Sequence, residues 1–434
     1  MDKRNTIGML VVNICFVVIQ LFVQVFLVAE IFVLSGESIT AVAWFTLLEL
    51  GVLFLFYTIA SAVCKVIKPI WVNRFAAVLG LAFVLLVIFW QDGLYSHFML
   101  LGVIWGTVLG LYWGAMNFLI AQVFNRKTMF SYMVWSMTLT TVARMLFPFS
   151  FGFIIDFGSF LLTSIIVLGI TVIQLVGTFL IKPPARYVQP ASRSLRFRAY
   201  FRALKHANFL RPALKFFVLD MLFSFHFGIA LSVTIMIMLV FGTSLSLGIF
   251  GSVFAVTSII FLVAYKKLKL KHFWVAGVLP VFATAALFID INVAAIIVFQ
   301  AVFLSLDAIV RAEEGTLRMN ATKYWGGEEF IVESHLFYEF ALFVGRMILC
   351  AVILVVGILG GSPMLFAGMV ALFVIMFAIS AIGMYLWKKR YVTQTVVSSQ
   401  GSATQSPAQP CHSASANNST HVATLPTPDD CPPH

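Results

Sequence analysis

Twelve apolar stretches follow one another along the chain, separated by charged loops or loops marked by Gly and Pro. A hydrocarbon core about 30 Å thick requires about 20 apolar residues from a helix, and each stretch is near that length. A backbone inside lipid must satisfy its own hydrogen bonds, so we expect helices. Called span 1 to span 12 in chain order, the stretches lie near 7–35, 39–67, 74–91, 97–124, 129–156, 158–181, 212–241, 243–265, 273–290, 292–312, 332–359 and 362–387.

The composition agrees with a membrane protein. Of 434 residues, 61% are hydrophobic and 10% are charged, whereas a soluble domain has roughly 25% charged residues. The predicted fold class is therefore an all-α polytopic membrane protein with about twelve transmembrane helices in two six-helix halves.

The basic residues lie on one side of the predicted membrane. If the N-terminus is cytoplasmic, the inner loops and tails hold all Lys and Arg except Arg144 and Arg346, and the outer loops hold only acids. The positive-inside rule then predicts a multi-pass protein of the cell membrane with both termini cytoplasmic. The net charge of +11 reflects this topology and contact with the anionic lipids of the inner leaflet, with no need for nucleic acid.

Loop lengths and composition divide the chain into four regions. Phe197, Phe201 and Leu204 share one face of a helix in the longest inner loop, which predicts a basic amphipathic helix on the inner leaflet; the alternative is a solvated linker. The Ser-, Thr- and Pro-rich tail is predicted to be disordered, and its Cys and His spacings match no zinc module. The regions are the N-terminal bundle 1–182, the linker 183–211, the C-terminal bundle 212–390 and the tail 391–434.

A short repeat relates the two halves. Span 5 contains VARM at 142–145 and span 11 contains VGRM at 344–347, so Arg144 and Arg346 occupy equivalent places in the fifth span of each half. They are also the only basic residues expected inside the membrane.

Two six-helix halves with cytoplasmic ends and a basic inner loop resemble the major facilitator superfamily over about residues 7–390. The resemblance implies a rocking transporter whose site lies between the halves, lined by spans 1, 4, 7 and 10 with contributions from spans 5, 8 and 11. It is architectural: CKVIKPIWVNRF, between spans 2 and 3, lacks the Gly and Asp of the superfamily pattern, and Pro148 in span 5 is not preceded by Gly. No subfamily is therefore identified.

Span 1 carries one polar stripe formed by Asn13, Gln20 and Gln24. At 100° per residue the three amides fall on one face, which must meet protein or water. They are candidates for substrate binding, because the resemblance puts span 1 on the cavity. Hydrogen bonding between helices is the equally weighted alternative.

Span 4 has a glycine at every fourth position from Gly102 to Gly114. Such a ridge allows a neighbouring helix to approach closely and is predicted to be a packing device. Trp113 and Asn117 lie off the ridge and are candidate substrate contacts, with interior packing as the alternative. Gln300 of span 10 is a further candidate through the position of its helix alone.

Span 11 places Glu339 and Arg346 on one face, seven residues apart and, by this spacing, too far for direct contact. We predict instead an ion pair between Arg346 and Glu49 of span 2, which the superfamily fold puts beside span 11. A buried carboxylate beside arginine can hold or release a proton, so Glu49, Glu339 and Arg346 are candidates for proton coupling. His226 of span 7 is another, although a satisfied interior histidine is the commoner case.

Three further charged residues lie near the inner ends of spans 7 and 10. Asp220 is predicted to act as a gate or to balance Lys215 at the interface. Asp307 and Arg311 are four residues apart, the spacing of a helical ion pair, and are predicted to be a gate or a structural bridge.

Arg144 has no acid at its own depth on span 5. It either binds an anionic group of a substrate or pairs with Glu30 or Asp307.

These features favour a secondary transporter for a small polar or anionic solute, coupled to protons and monomeric. The sequence has no nucleotide-binding glycine loop, no metal-ligand cluster in the spans and no nucleophile motif, so we predict neither an enzyme nor a cofactor or metal. A membrane sensor or scaffold on the same fold is the alternative, and a lipid-modifying enzyme lacks a catalytic cluster.

Overall fold

The computed structural model describes residues 3–124, 126–182, 194–268, 272–289, 292–326, 329–360 and 362–392, and in these ranges all regular elements are helices. Span 1 is Lys3–Leu21 continued by a π-helical segment, Phe22–Leu27, and by Val28–Leu34. The other elements are span 2 Ile39–Val63, span 3 Pro69–Phe89, span 4 Leu94–Val123, span 5 Arg126–Phe157, span 6 Phe160–Leu180, the linker helix Phe197–His206, span 7 Leu210–Phe223 and His226–Phe241, span 8 Ser244–Lys267, span 9 Trp274–Ala283 and Ala285–Ile289, span 10 Val293–Gly326, span 11 Ile331–Ile358, and span 12 Pro363–Trp387.

Eleven of these helices are long and apolar enough to cross a membrane. Span 9 is shorter: its apolar helix covers Trp274–Ile289, contains Pro280 and is interrupted at Thr284. Proline lacks a backbone donor, so the helix loses one hydrogen bond at Pro280 although it continues to Ala283. The described helices confirm the predicted fold class of about twelve spans.

Several spans begin at N-cap serines or at prolines in the first turn, close to the starts predicted from the sequence. The side chains of Ser38, Ser159 and Ser362 each accept a hydrogen bond from the backbone N–H three residues later, as N-caps do. Pro69 and Pro363 occupy the first turn, where the missing N–H costs nothing.

Span 10 is longer than predicted. The hydropathy pattern ends it near residue 312 and assigns Arg311 and Arg318 to an inner loop, but the helix continues to Gly326 and carries both. Ion pairs at i,i+4 join Asp307 to Arg311 and Glu314 to Arg318, and they stabilise the polar continuation. Hydropathy detects the membrane-crossing part of a helix and misses such an extension.

The two halves meet along two seams. Span 5 packs on span 8 and span 2 packs on span 11, so each fifth span contacts the second span of the opposite half. In one seam Gly248 lies against the Pro148 backbone, and in the other Gly357 lies against Thr40. The outer segment Val28–Leu34 also contacts span 7. Arg144 and Arg346 therefore sit on equivalent seam helices, as the repeat predicts.

The glycine ridge of span 4 packs against span 2, as predicted. A Cβ atom at Gly110 would lie 2.5 Å from the Leu53 carbonyl oxygen and 2.7 Å from the Tyr57 nitrogen. At Gly106 it would collide with the Glu49 carbonyl oxygen. Only glycine allows the two backbones to approach this closely.

The linker helix forms where the amphipathic pattern predicts it. Tyr200 and Leu204 are buried, the Tyr200 hydroxyl lies 3.3 Å from the Ser334 hydroxyl, and Phe201 packs edge-on against Phe337 at 5.4 Å. This face therefore packs on span 11. Its contact with the inner leaflet stays a prediction, and the tail beyond residue 392 lies outside the described residues.

Candidate functional site

Charged side chains from five spans gather between the two halves. We call this set the charged cluster. It consists of Glu49 of span 2, Arg144 of span 5, Asp220 of span 7, Asp307, Arg311, Glu314 and Arg318 of span 10, and Glu339 and Arg346 of span 11.

Span 10 contributes two ion pairs along one helix. The Arg311 Nε lies 2.7 Å from the Asp307 Oδ2, and the Arg318 Nε lies 2.8 Å from the Glu314 Oε1. Asp307 and Glu314 are buried, whereas the Arg311 side chain is 38% exposed. The predicted Asp307–Arg311 pair is therefore present, and a second pair follows it two turns later.

Span 11 continues the chain of charges. The Arg318 NH1 lies 3.7 Å from the Glu339 Oε2, and the Arg346 NH1 lies 3.2 Å from the Glu339 Oε1. The interpretation that Glu339 and Arg346 are too far apart to touch is wrong. Side chains on a helix tilt towards its N-terminus, so the long Arg346 side chain reaches back over two turns. Its guanidinium also lies 4.4 Å from the centre of the Phe227 ring.

Glu49 stands across the seam from this chain. It is buried, and the Gln24 and Arg346 side chains lie within electrostatic range of it. The closest acid to Arg346 is thus Glu339, in place of the predicted Glu49, because Arg346 reaches along its own helix. Gln24 lies in the π-helical segment of span 1, a kind of irregularity often found at functional sites.

Arg144 is the exposed member of the charged cluster. Its guanidinium is within electrostatic range of Arg311 and Asp307 of span 10. No hydrogen bond or ion pair joins Arg144 to another described residue. Of the two acids considered as partners, Asp307 is the one that acts on Arg144, and Asp307 is already paired with Arg311.

Asp220 is completely buried in the first part of span 7, which packs on spans 11 and 12. Arg318, Glu314 and Glu339 lie within electrostatic range of it, and neither of its carboxylate oxygens receives a hydrogen bond from a described residue. Lys215, the partner considered from the sequence, is exposed. Asp220 therefore belongs to the charged cluster and not to the interface.

The three amide side chains of span 1, Asn13, Gln20 and Gln24, lie in different environments. The Asn13 amide donates to the Ser136 hydroxyl at 3.0 Å, and its carbonyl oxygen accepts from the Tyr112 hydroxyl at 3.3 Å, so Asn13 joins spans 1, 4 and 5. This is the arrangement expected of hydrogen bonding between helices. Gln24 faces Glu49, and Gln20 is half-buried.

The span 4 candidates remain accessible. Asn117 is exposed and donates a hydrogen bond to the Tyr57 hydroxyl at 3.1 Å, and Trp113 is half-buried with its ring edge-on to Phe16 at 5.8 Å. Substrate contact by either residue stays a prediction.

The remaining candidates are interior. His226 begins the second part of span 7, is 7% exposed, and its Nδ1 lies 2.8 Å from the Phe223 carbonyl oxygen. That is the geometry of a satisfied interior histidine. Gln300 is completely buried, and neither end of its amide finds a partner among the described residues. No hydrogen bond joins Gln300 to a described residue of the charged cluster.

Sequence reasoning missed two features. The first is the Glu314–Arg318 pair, which lies beyond the predicted end of span 10. Its i,i+4 spacing is typical of an ion pair on a helix and could have indicated that the helix continues. The second feature is a buried ion pair between Lys65 and Glu333 at 2.8 Å, which joins the inner ends of spans 2 and 11. Lys65 also donates to the Ser194 carbonyl oxygen at 3.1 Å. No sequence pattern links residues so far apart.

Three solved structures of similar architecture, each a transporter, match most of the chain. The nucleoside transporter NupG matches with a TM-score of 0.61 and 13% identity over 90% of this chain and 100% of that chain. An auto-inhibited POT family peptide transporter matches with a TM-score of 0.66 and 11% identity over 90% and 97%. A bacterial homologue of the iron transporter ferroportin, in an outward-facing state, matches with 0.59 and 14% over 89% and 99%.

Sequence comparison adds no closer relative: no family model and no curated protein matches the chain. At identities of 11% to 14%, the structural matches establish the fold alone. The helix order and the two seams agree with the predicted resemblance, and the chain shares its fold with these solved transporters.

Proposed function

We propose that the protein is a secondary transporter that moves a small anionic solute across the cell membrane by alternating access, coupled to protons. The observation that supports this most directly is the exposed Arg144 guanidinium, which lies at membrane depth without a hydrogen bond or ion pair from the described residues.

The local charge count favours an anion. Arg144 and Arg311 are two positive charges, and Asp307 is the one negative charge acting on both. A charged arginine in the middle of a membrane helix costs about 2.5 to 3.5 kcal/mol or more unless it is compensated. An anionic solute beside Arg144 would supply the missing negative charge, and the planar guanidinium suits a carboxylate or phosphate.

The position of this site suits alternating access. Arg144 belongs to the N-terminal half and Arg311 to the C-terminal half, so an anion between them contacts both halves. Transporters built from two repeats bind substrate at the interface of the repeats and move one repeat against the other.

The fold leaves the substrate open. The three structural neighbours are described as transporters of nucleosides, peptides and iron, which are chemically unrelated solutes. The substrate class must therefore be inferred from the side chains of this chain.

The test begins with ligand-induced thermal stabilisation of the purified protein. Panels of small carboxylates, organic phosphates and inorganic anions are compared with neutral sugars and nucleosides. We expect stabilisation by one class of anion, its loss in Arg144→Gln and its retention in Arg198→Gln, a control on the exposed face of the linker helix. Stabilisation by neutral solutes alone, or an unchanged response of Arg144→Gln, would contradict the anionic substrate.

Flux then separates transport from sensing. The stabilising anion is offered to proteoliposomes with and without an inward proton gradient, and accumulation that follows the gradient is expected. Binding without flux would support the sensor or scaffold alternative.

The topology is part of the proposal. Both termini are placed on the cytoplasmic side, so reporter fusions at residue 92 and after residue 390 should report opposite compartments.

A further inference from the structure

We propose that Arg74, Trp71 and Phe179 form a binding site for the phosphate of an anionic phospholipid in the inner leaflet. We call these three residues the Arg74 site. It lies at the inner ends of spans 3 and 6, on other helices than Arg144 and Arg311. The inference therefore goes beyond the proposed function and does not rest on it.

The Arg74 guanidinium lies over two aromatic rings from two different helices. Its Cζ atom is 4.7 Å from the centre of the Trp71 ring, on the preceding turn of span 3, and 4.5 Å from the centre of the Phe179 ring of span 6. Both distances are within the roughly 6 Å at which a ring attracts a cation. The two rings restrict the guanidinium to one position, which lowers the entropy cost of binding a ligand there.

Arg74 differs from the other described cations that lie over rings, because each of the others also has an acid partner. These pairs are Arg196 with Glu329, Arg346 with Glu339, and Lys388 with Glu313. Arg74 makes no hydrogen bond or ion pair with a described residue, and its Nε atom is buried. The rings therefore position a guanidinium whose charge the described residues leave uncompensated.

The surrounding charges favour an anionic partner. Lys68 and Lys182 flank the inner ends of spans 3 and 6, and both are exposed. No acid between residues 3 and 182 lies at the inner end of a span; the acids of this stretch are Glu30, Glu37, Glu49, Asp92 and Asp156. The inner end of the N-terminal half thus attracts anionic headgroups, and basic sites between transmembrane helices are known to bind them.

The Arg74 site faces lipid. Spans 3 and 6 cross the membrane, and their main contacts are with helices of their own half. The side chains of Trp71, Phe75 and Phe179 are 56%, 60% and 56% exposed, so they point outward from the bundle.

The depth of the site matches that of a lipid phosphate. Arg74 is the sixth residue of span 3, about 8 Å from its start along the helix, and Phe179 is next to the last residue of span 6. This is the boundary between headgroups and acyl chains, where tryptophan is enriched. The planar fork of arginine suits the oxygens of a phosphate, and the exposed Phe75 ring offers apolar surface to an acyl chain. A phospholipid supplies both parts, whereas a soluble phosphate supplies only one.

Native mass spectrometry of the full chain in detergent tests the site. Phosphatidylglycerol and phosphatidylcholine with the same acyl chains are added in turn, and the fraction of protein that retains a lipid is measured. We expect one phosphatidylglycerol to bind more tightly than phosphatidylcholine. Arg74→Gln should weaken it about 10-fold or more, as for the loss of a charged hydrogen bond. Arg211→Gln, at an exposed arginine on the inner end of span 7, is the matched control and should keep the lipid.

Two further variants separate a built site from general attraction to positive charge. Arg74→Lys keeps the charge but loses the fork, so it should recover only part of the affinity. Phe179→Leu keeps Arg74 and removes one ring, and it should weaken binding about 3-fold. It also tests the site if Arg74→Gln does not fold. Full affinity in both Arg74→Lys and Phe179→Leu, or an equal loss in Arg74→Gln and Arg211→Gln, overturns the proposal. Equal displacement of the lipid by glycerol 3-phosphate would make the occupant a soluble phosphate and also overturn it.

Tryptophan quenching locates the lipid in a bilayer. The protein is placed in vesicles that contain equal fractions of brominated phosphatidylglycerol or brominated phosphatidylcholine. The emission of Trp71 is the difference between the parent and Trp71→Phe. We expect brominated phosphatidylglycerol to quench it more strongly, and Arg74→Gln to remove this preference. Equal quenching by the two lipids in the parent would contradict the site.

The lipid and the proposed substrate can be tested separately. Arg144→Gln should keep the bound phosphatidylglycerol, and Arg74→Gln should keep the thermal stabilisation by the anion. A protein that binds phosphatidylglycerol at Arg74 but no anion would refute the substrate class alone. A protein that binds the anion but shows no preference for phosphatidylglycerol would refute the lipid site alone.

Discussion

Arg144 and Arg346 occupy equivalent helices of the two halves but have different surroundings. Arg346 is 8% exposed, is bonded to Glu339 and lies over the Phe227 ring. Arg144 is exposed and has no such contact with a described residue. At equivalent places in the repeat, the arginine of the C-terminal half is therefore part of an ion-pair network, whereas the arginine of the N-terminal half is exposed and unpaired among the described residues.

The contrast extends to the interiors of the two halves. In the N-terminal half, contacts between spans use neutral amides such as Asn13 and the glycine ridge that brings spans 2 and 4 together. In the C-terminal half, spans 10 and 11 are joined through the charged side chains of Arg318 and Glu339. Charges inside a membrane are costly and mark functional positions, so the asymmetry makes spans 10 and 11 the first targets for functional tests.

The largest expected effect is on Arg346. Arg346→Gln leaves Glu339 with only the longer contact to Arg318, and we expect a loss of about 3 to 5 kcal/mol in the free energy of unfolding, the usual cost of removing one partner of a buried pair. Thermal or denaturant unfolding in detergent measures it. The double variant with Glu339→Gln should lose less than the two single variants together. Strictly additive losses would show that the pair is not energetically coupled.

Arg144→Gln should separate binding from stability. Arg144 is exposed and makes no hydrogen bond or ion pair with a described residue, so its replacement should leave the free energy of unfolding within about 0.5 kcal/mol of the parent. Anion affinity should fall about 10- to 100-fold, as for the loss of a charged hydrogen bond worth roughly 1.5 to 3 kcal/mol. Titration of the thermal shift measures both.

Arg144→Lys sharpens this result. It keeps the charge but loses the planar fork of donors, so it should recover part of the affinity. A large loss of stability in Arg144→Gln would mean that Arg144 is as structural as Arg346, and the contrast between the halves would fail.

Gly106→Ala tests the neutral packing of the N-terminal half. The added methyl group meets the Glu49 backbone, and overpacking of this kind costs about 1 to 3 kcal/mol. Gly169→Ala is the matched control, because no described atom lies within 4 Å of a Cβ atom there. Equal unfolding temperatures for the two variants would argue against close packing of spans 2 and 4.

The smallest effect is expected at Asn13. Asn13→Ala removes two hydrogen bonds between spans, each worth about 0.6 kcal/mol in membranes, so unfolding should change by about 1 kcal/mol. Gln20→Ala, on the same stripe, should change it less. If the Asn13→Ala protein has normal stability but binds no anion, Asn13 contributes to substrate binding and not to the packing of the spans.

Several contacts were predictable and others were not, for reasons visible in particular residues. The Asp307–Arg311 pair follows from its spacing, and the span 4 ridge follows from four glycines at regular intervals. The Glu339–Arg346 contact was misjudged, because side-chain reach along a helix was underestimated. The contact of Arg318 with Glu339 depends on how span 10 is rotated against span 11, which no local pattern records.

The sequence by itself determined which segments are helices in the membrane, because hydropathy and helical period are local properties of the chain. It also determined which spans carry charge and the basic asymmetry from which we predict the topology. The tertiary structure alone decided how the charges are matched. Lys65 meets Glu333 across the seam and Arg318 meets Glu339 between spans, while Arg144 is left open. Such pairings depend on distances of a few ångströms between helices, and these arise only when the whole bundle is packed.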